Sequence, residues 1–166
     1  MSLYAVAVPT FKRTLTSLAA ILKKAEAFAE EKKIDPSVLV NARLAPDMFP
    51  LKRQIQIASD SARRGTAQLA GIEAPVMADT EETFAELQTR ISNTIAFLDS
   101  LKPAQFEGAE DKTITLPVAG TEIKFDGTTY LMSYVMANFS FHSVTVYNIL
   151  RHNGVALGKM DYLGKP

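Results

Sequence analysis

An apolar residue recurs every third or fourth position through the first thirty residues of the chain. This spacing places side chains on one face of an α-helix, so it predicts a first long helix over about residues 3–32. Pro9 lies inside the pattern and removes one backbone hydrogen bond, so we expect a kink or a ragged first turn. The apolar positions are Tyr4, Val8, Phe11, Leu15, Leu18, Leu22, Ala25 and Ala29.

Apolar residues recur with the same spacing in three further segments, which predicts three further helices. The second covers about residues 47–71, with Asp47 as its cap, and the third begins at an Asp79 cap supported by Glu82 and ends before Pro103. The fourth covers about residues 128–152. It is apolar over most of its circumference, so we expect it to be buried on more than one side. Between the first two helices, Asp35 caps a short helical turn.

Before the fourth helix the apolar period changes to two. Residues 113–118 and 121–125 alternate between apolar and polar side chains, with Ala119 and Gly120 between them, which predicts a two-stranded hairpin. A hairpin of this size is marginally stable alone and must pack on the helices. We therefore predict one all-α domain over residues 1–166, a four-helix bundle with a small β-hairpin inserted before the last helix.

Charge and composition exclude several classes of function. The 166 residues include 18 basic and 18 acidic side chains, and this zero net charge argues against a nucleic-acid partner. No apolar run reaches the length of a membrane helix, and the N-terminus lacks the pattern of a signal peptide, so we expect a cytoplasmic protein without a membrane partner. The absence of cysteine excludes thiolate nucleophiles and Cys-type zinc sites. Common catalytic motifs are also absent, so no particular reaction is predicted.

Polar side chains within the fourth helix are the first candidates for a site. His142 lies in the middle of this apolar element, and Asn138 precedes it by one turn on the same face. Burying an unsatisfied imidazole or amide costs about 1–3 kcal/mol, so both need partners on a facing helix, in water or in a ligand. A neutral histidine satisfied within the core is the simplest interpretation, and ligand binding is the alternative.

The second helix supplies the candidate partners. Asp47 is most simply a helix cap and secondarily a carboxylate lining a pocket. Gln54 is most simply a solvated surface residue, although its closeness to the apolar face allows it to point inward. Asp60 and Arg64, four residues apart, are most simply an exposed ion pair worth a few tenths of a kcal/mol.

Several stretches together resemble one bacterial family, domain-of-unknown-function family nineteen ninety-three, in the DinB/YfiT-like superfamily, which includes metalloenzymes. The resemblance covers essentially the whole chain. Its motifs are Ala-Arg-Leu-Ala-Pro-Asp-Met-Phe-Pro-Leu at 42–51 with Gln54, Glu-Leu-Gln-Thr-Arg-Ile at 86–91, Asn-Phe-Ser-Phe-His at 138–142, Ile-Leu-Arg-His-Asn-Gly at 149–154, and Leu-Gly-Lys-Met-Asp-Tyr-Leu-Gly at 157–164.

This resemblance implies an up-down-down-up bundle that is often a homodimer, and its active members bind a metal through three histidines. One of those comes from the second helix and two come from an H-x-x-x-H on the fourth. Here only His142 matches, because Asn138 and Val146 stand at the neighbouring positions and the second helix has no histidine. We therefore predict no three-histidine metal and no cofactor.

The remaining expectation is a polar pocket for a small molecule, between the second and fourth helices. Its candidate residues are Asp47, Gln54, Asn138 and His142, covered by the tail around Tyr162. The alternatives are a divalent metal on a reduced site of His142 and Asp47, serving a hydrolase or transferase, and a non-catalytic structural homodimer.

Overall fold

The computed structural model describes residues 2–118 and 120–164, and the four-helix bundle with a hairpin is present as predicted. The helices are α1 (Leu3–Lys32), α2 (Pro36–Val40), α3 (Leu51–Ala70), α4 (Phe84–Ser100), α5 (Gly127–Thr129), α6 (Met136–His152) and α7 (Lys159–Leu163). Two 3-10 turns (Pro103–Phe106 and Ala109–Asp111) precede strands β1 (Ile114–Val118) and β2 (Thr121–Phe125), and a π-helix (Tyr130–Val135) joins α5 to α6. None of the helices in the described ranges is long and apolar enough to cross a membrane.

The first helix has the predicted extent and runs continuously through Pro9. Its core-facing side chains are fully buried, which the spacing of three and four requires. The helix ends at Lys33, which takes a left-handed conformation with φ of 56°. Asp35 then caps α2 as predicted, because its side chain accepts a hydrogen bond of 2.8 Å from the backbone N–H of Ser37.

The predicted start of the second helix was wrong by one turn. α3 begins at Leu51 with Pro50 in the capping position, while Asp47 lies in the preceding turn and caps nothing. The backbone N–H of Leu51 instead donates to the carbonyl oxygen of Ala42. The predicted end holds, since Gly71 closes α3 in a left-handed conformation with φ of 69°.

The predicted start of the third helix was also wrong. α4 begins at Phe84, and Thr83 is its cap: Thr83 Oγ1 accepts from the N–H of Glu86 at 3.2 Å, and Glu86 Oε2 accepts from the N–H of Thr83 at 2.9 Å. This is a complete capping box, one turn after the predicted one. Asp79 is unavailable as a cap because its carboxylate pairs with Arg53 and Arg90.

Contacts between the helices fix their directions. The start of α1 meets the end of α4 at the Lys12–Asp99 ion pair, so these two helices are antiparallel. Gln88, near the start of α4, donates to the carbonyl oxygen of Ala19 at 2.8 Å, in agreement with that direction.

The other two neighbours complete the bundle. α3 and α4 are parallel, because Lys52 pairs with Glu82 and Asp60 pairs with Arg90. α3 and α6 are antiparallel, because Gln54 contacts His142 whereas the later Ser61 contacts the earlier Asn138. The course is therefore up-down-down-up, as the family resemblance implied.

The fourth predicted helix is interrupted by the π-helix, which sequence periodicity did not indicate. π-helical turns are rare in proteins as a whole, but those that occur are often found at functional sites. Val135, at the end of this segment, packs directly on Gly65 of α3: a Cβ built on Gly65 would lie 2.4 Å from Val135 Cγ1. A glycine at position 65 thus allows the π-helix to approach α3.

Burial of the fourth helix on several sides was only partly correct. Leu131, Val135 and Phe139 are buried, and the ring of Phe139 lies 4.7 Å from that of Phe11 in α1. One side of α6 faces solvent, however. Phe141 on this side is 57% exposed, and Val144 is also exposed. This helix therefore has one exposed apolar side.

The hairpin forms as predicted and lies against the π-helix. β1 and β2 are antiparallel, with Ile114 opposite Phe125 and Leu116 opposite Ile123. The ring of Phe125 lies 5.7 Å from that of Tyr134, so the hairpin packs on the bundle as its small size demands. Ala119, in the predicted turn, lies outside the described residues.

Candidate functional site

Two cavities lie along the contact between α3 and α6. The smaller cavity has a volume of about 240 Å³, and its walls are Asp47, Met48, Phe49, Gln54, Phe141 and His142. Three predicted site residues, Asp47, Gln54 and His142, are thus brought together. The walls combine an imidazole and a carboxylate with one methionine and two aromatic side chains.

Gln54 is a buried link between the loop before α3 and the imidazole of α6. It is 1% exposed, so its interpretation as a solvated surface residue was wrong. Its Nε2 donates to the carbonyl oxygen of Phe49 at 2.9 Å, and its Oε1 lies 2.6 Å from Nδ1 of His142. A carbonyl oxygen only accepts, so the first bond orients the amide and presents Oε1 to the imidazole.

The tautomer of His142 follows from this amide. Because Gln54 Oε1 is an acceptor, Nδ1 of His142 carries the proton and donates it. Burial lowers the pKa of the imidazole, and the positive charge of Arg53 lowers it further. The ring is therefore neutral at pH 7. Its Nε2 has a lone pair and no hydrogen bond to any residue in the described part of the chain.

The larger cavity lies one to two turns further along α3, with a volume of about 360 Å³. It lies where α3, the π-helix and β1 meet, and Asn138 lines it together with Ser61. The amide Nδ2 of Asn138 donates to Ser61 Oγ at 2.8 Å. Asn138 therefore shares the α3–α6 contact with His142 but lines a different cavity.

Tyr162 lies away from both cavities and does not cover the predicted pocket. Its ring packs 6.5 Å from that of Tyr147, and α7 rests against α1. The neighbouring Asp161 pairs with Lys24 of α1 at 2.7 Å. These contacts hold the tail against α1 and Tyr147 of α6, and Tyr162 does not line the His142 cavity, so the expectation that Tyr162 closes the site was wrong.

A network of buried arginines connects α3 and α4, and sequence reasoning missed it. Arg63 and Arg90 both donate to Asp60 at 2.7 Å, and Arg90 also pairs with Glu81 at 2.9 Å. Asp60 does pair with Arg64, at 3.1 Å, but the interpretation as a simple exposed pair was wrong. A signal was present, because Arg90 follows Leu87 by three residues on the buried stripe of its helix.

The residues present do not fit a metal held by three histidines. The small cavity has one histidine, and the amide of Gln54 is already engaged by His142 and Phe49. Within residues 2–118 and 120–164, no group of three or more histidine, cysteine, aspartate or glutamate side chains is placed to hold a metal ion. Asp47 and His142 line the same cavity, but two residues alone make an incomplete ligand set.

The course of the helices and the polar contact between α3 and α6 define a DinB-like bundle. A solved crystal structure described as a DinB family member protein from Shewanella denitrificans is 44% identical, with a TM-score of 0.92. The match covers 99% of this chain and 93% of that one. The chain belongs to the family Domain of unknown function (DUF1993), whose model matches residues 3–163. No curated protein matches it significantly.

Proposed function

We propose that this protein binds a small molecule with a hydrogen-bond donor in the cavity formed by Asp47, Gln54 and His142. This proposal rests on the contact of 2.6 Å between His142 Nδ1 and Gln54 Oε1. It commits one ring nitrogen to the protein and leaves Nε2 of a neutral imidazole as an acceptor in the cavity wall.

The lining of the cavity favours one class of ligand. Nε2 of His142 and the carboxylate of Asp47 accept hydrogen bonds, so the ligand should carry a hydroxyl or ammonium group. Met48, Phe49 and Phe141 supply apolar surface for the rest of the ligand. A volume of about 240 Å³ is below the usual range for drug-sized ligands, so the compound has few non-hydrogen atoms.

The guanidinium of Arg53 supports the same cavity from outside. It lies 5.8 Å from the centroid of the Phe49 ring, a distance at which a cation is attracted to an aromatic face. This contact and the bond from Gln54 to the Phe49 carbonyl both hold the loop before α3 at the mouth of the cavity. The site is therefore preformed by contacts within the chain.

Thermal denaturation with a panel of small hydroxyl- and ammonium-bearing metabolites tests this function. At least one compound should raise the Tm of the wild type, and His142→Ala should abolish that rise. His152→Ala is the matched control, because His152 is exposed at the end of α6. If no compound raised the wild-type Tm, and His142→Ala only lowered stability, the proposal would fail.

A divalent metal on His142 and Asp47 is the second hypothesis, supported only by their presence in one cavity. Elemental analysis of protein purified without an affinity tag decides it. A metal content well below one ion per chain, with no increase after soaking in zinc, nickel or manganese, would reject the metal hypothesis. One ion per chain that is lost in both His142→Ala and Asp47→Ala would replace the metal-free proposal.

A further inference from the structure

The larger cavity is lined by two arginines, Arg53 and Arg64, and by one carboxylate, Asp60. Arg53, Arg63, Arg64 and Arg90 form one connected network with the carboxylates of Asp60, Asp79 and Glu81. Four guanidinium groups thus face three carboxylates within this network, although the whole chain has zero net charge. An anion of single charge would balance the group.

The carboxylate inside the cavity is already saturated by guanidinium groups. Asp60 lines the cavity, but its two oxygens receive Arg63 and Arg90 at 2.7 Å and Arg64 at 3.1 Å. Asp60 therefore presents little free negative charge to a ligand. Arg64 contributes one of its nitrogens to Asp60 and keeps the others for another acceptor.

A buried phenol supplies a second donor at the same place. Tyr130 lines the cavity, and the residue as a whole is 4% exposed. Its hydroxyl makes no side-chain hydrogen bond to another residue that the structure describes, so it is available to a ligand. Burial raises the pKa of Tyr130 to about 12, and the nearby Tyr134 contributes, so the hydroxyl stays protonated and can donate.

The remaining walls accommodate an apolar or aromatic body. Ile57, Leu116 and Val135 line the cavity beside the rings of Tyr130 and Tyr134, whose centroids lie 6.0 Å apart. A volume of about 360 Å³ lies at the lower end of the range for small-molecule sites. The cavity therefore combines donors with apolar walls, whereas the His142 cavity presents acceptors.

We infer that this second cavity binds a small organic carboxylate, with its carboxylate on Arg64, Arg53 and the hydroxyl of Tyr130 and its apolar body between β1 and the π-helix. A guanidinium matches the planar carboxylate with two parallel hydrogen bonds. The hairpin is then part of the wall of a binding site, because Leu116 of β1 lines the cavity.

Amide NMR titrations of the full chain with benzoate, benzamide and inorganic phosphate test this inference. Benzoate should shift the signals of Gly65, Tyr130 and Val135, and it should bind at least about tenfold more tightly than its neutral isostere benzamide. Equal binding of the two compounds, or no shift at millimolar benzoate, would overturn the inference. If phosphate bound as tightly as benzoate and shifted the same signals, the inference that the cavity accommodates an apolar body would be overturned.

Two variants test the location of the site, and two others are controls. Tyr130→Phe and Arg64→Gln should each weaken benzoate binding by about three- to tenfold, and Arg151→Gln, an exposed arginine at the end of α6, should not change it. Unchanged affinity in both of the first two variants would reject the site. His142→Ala should leave benzoate binding intact, so failure of the proposed function and failure of this inference are distinguishable.

Discussion

Nδ1 of His142 and Oε1 of Gln54 are 2.6 Å apart, although the two residues are separated by 88 positions in the chain. The contact joins α3 to α6 in the interior of the bundle. The family resemblance implies that active members of the wider superfamily carry metal-binding histidines on the two corresponding helices. In this chain an amide oxygen and one ring nitrogen of the imidazole form a hydrogen bond, so His142 has a defined tautomer without a metal.

The stability of the protein should therefore depend on pH through His142. Burial lowers the folded-state pKa of the imidazole below its ordinary value of about 6.5, so the unfolded chain binds a proton that the folded chain does not. Stability should fall as the pH drops from about 6.5 toward the lowered pKa, with a slope of at most about 1.4 kcal/mol per pH unit. Above pH 6.5 this contribution is constant.

Urea denaturation of the wild type and His142→Phe between pH 5 and pH 8 measures this contribution. The variant should lose the part of the slope that His142 supplies, whereas His152→Phe should keep it. Parallel profiles for the wild type and His142→Phe would contradict a buried neutral imidazole. Long-range proton–nitrogen NMR spectra of the ring should also show the proton on Nδ1 at pH 7.

Gly65 should tolerate alanine only if Val135 is shortened. A new Cβ would lie 2.4 Å from Val135 Cγ1, and overpacking of this kind costs about 1–3 kcal/mol. The higher helix propensity of alanine stabilises the folded state by only about 1 kcal/mol, which is less than the cost of overpacking. Gly65→Ala should therefore destabilise the protein. In a Val135→Ala background the same change should become neutral or stabilising.

Gly158→Ala is the matched control, because nothing lies within 4 Å of a Cβ built there. Thermal or urea denaturation of the wild type, the two single variants and the double variant gives the coupling between positions 65 and 135. Additive effects of Gly65→Ala and Val135→Ala would show that the π-helix does not depend on this close approach.

The sequence predicted the elements whose signals are local, and it failed where partners are distant. The extent of α1 and both strands were correct, because periodicities of 3.6 and 2 depend on neighbouring residues. The cap of α4 was misplaced because Asp79 pairs with Arg53 and Arg90, and no local rule shows this. The π-helix was missed because a single inserted residue barely changes the apolar pattern.

Prediction of the site was limited for the same reason. His142 was identified because a polar residue inside an apolar helix needs a partner. Gln54 was considered a surface residue because its partners, His142 and the Phe49 carbonyl, are set by tertiary structure. The larger cavity could not be found, because Tyr130 and Arg64 lie on different helices and line one cavity only in the folded bundle.

The charge of Asp60 should be essential for stability. Asp60→Asn keeps the shape of the side chain but leaves Arg63 and Arg90, which are nearly fully buried, without their shared carboxylate. Removing one partner from a buried ionic group costs about 3–5 kcal/mol. Asp99→Asn, which breaks the exposed pair with Lys12, should cost less than about 1 kcal/mol. Urea denaturation that found equal costs would contradict a structural role for the network.

A homodimer through the exposed side of α6 is the last prediction. Phe141 and Phe49 are both more than half exposed, they line the same cavity, and Val144 follows Phe141 on the exposed side of the helix. An exposed apolar surface of this kind is typical of an interface, and zero net charge does not oppose the association of two copies. Phe141→Glu should therefore convert a dimer into a monomer in size-exclusion chromatography with light scattering. Val76→Glu, at an exposed position in the loop between α3 and α4, should leave the dimer intact. A wild type that remains monomeric at high concentration would reject this prediction, because the apolar side of α6 would then have no second copy to cover it.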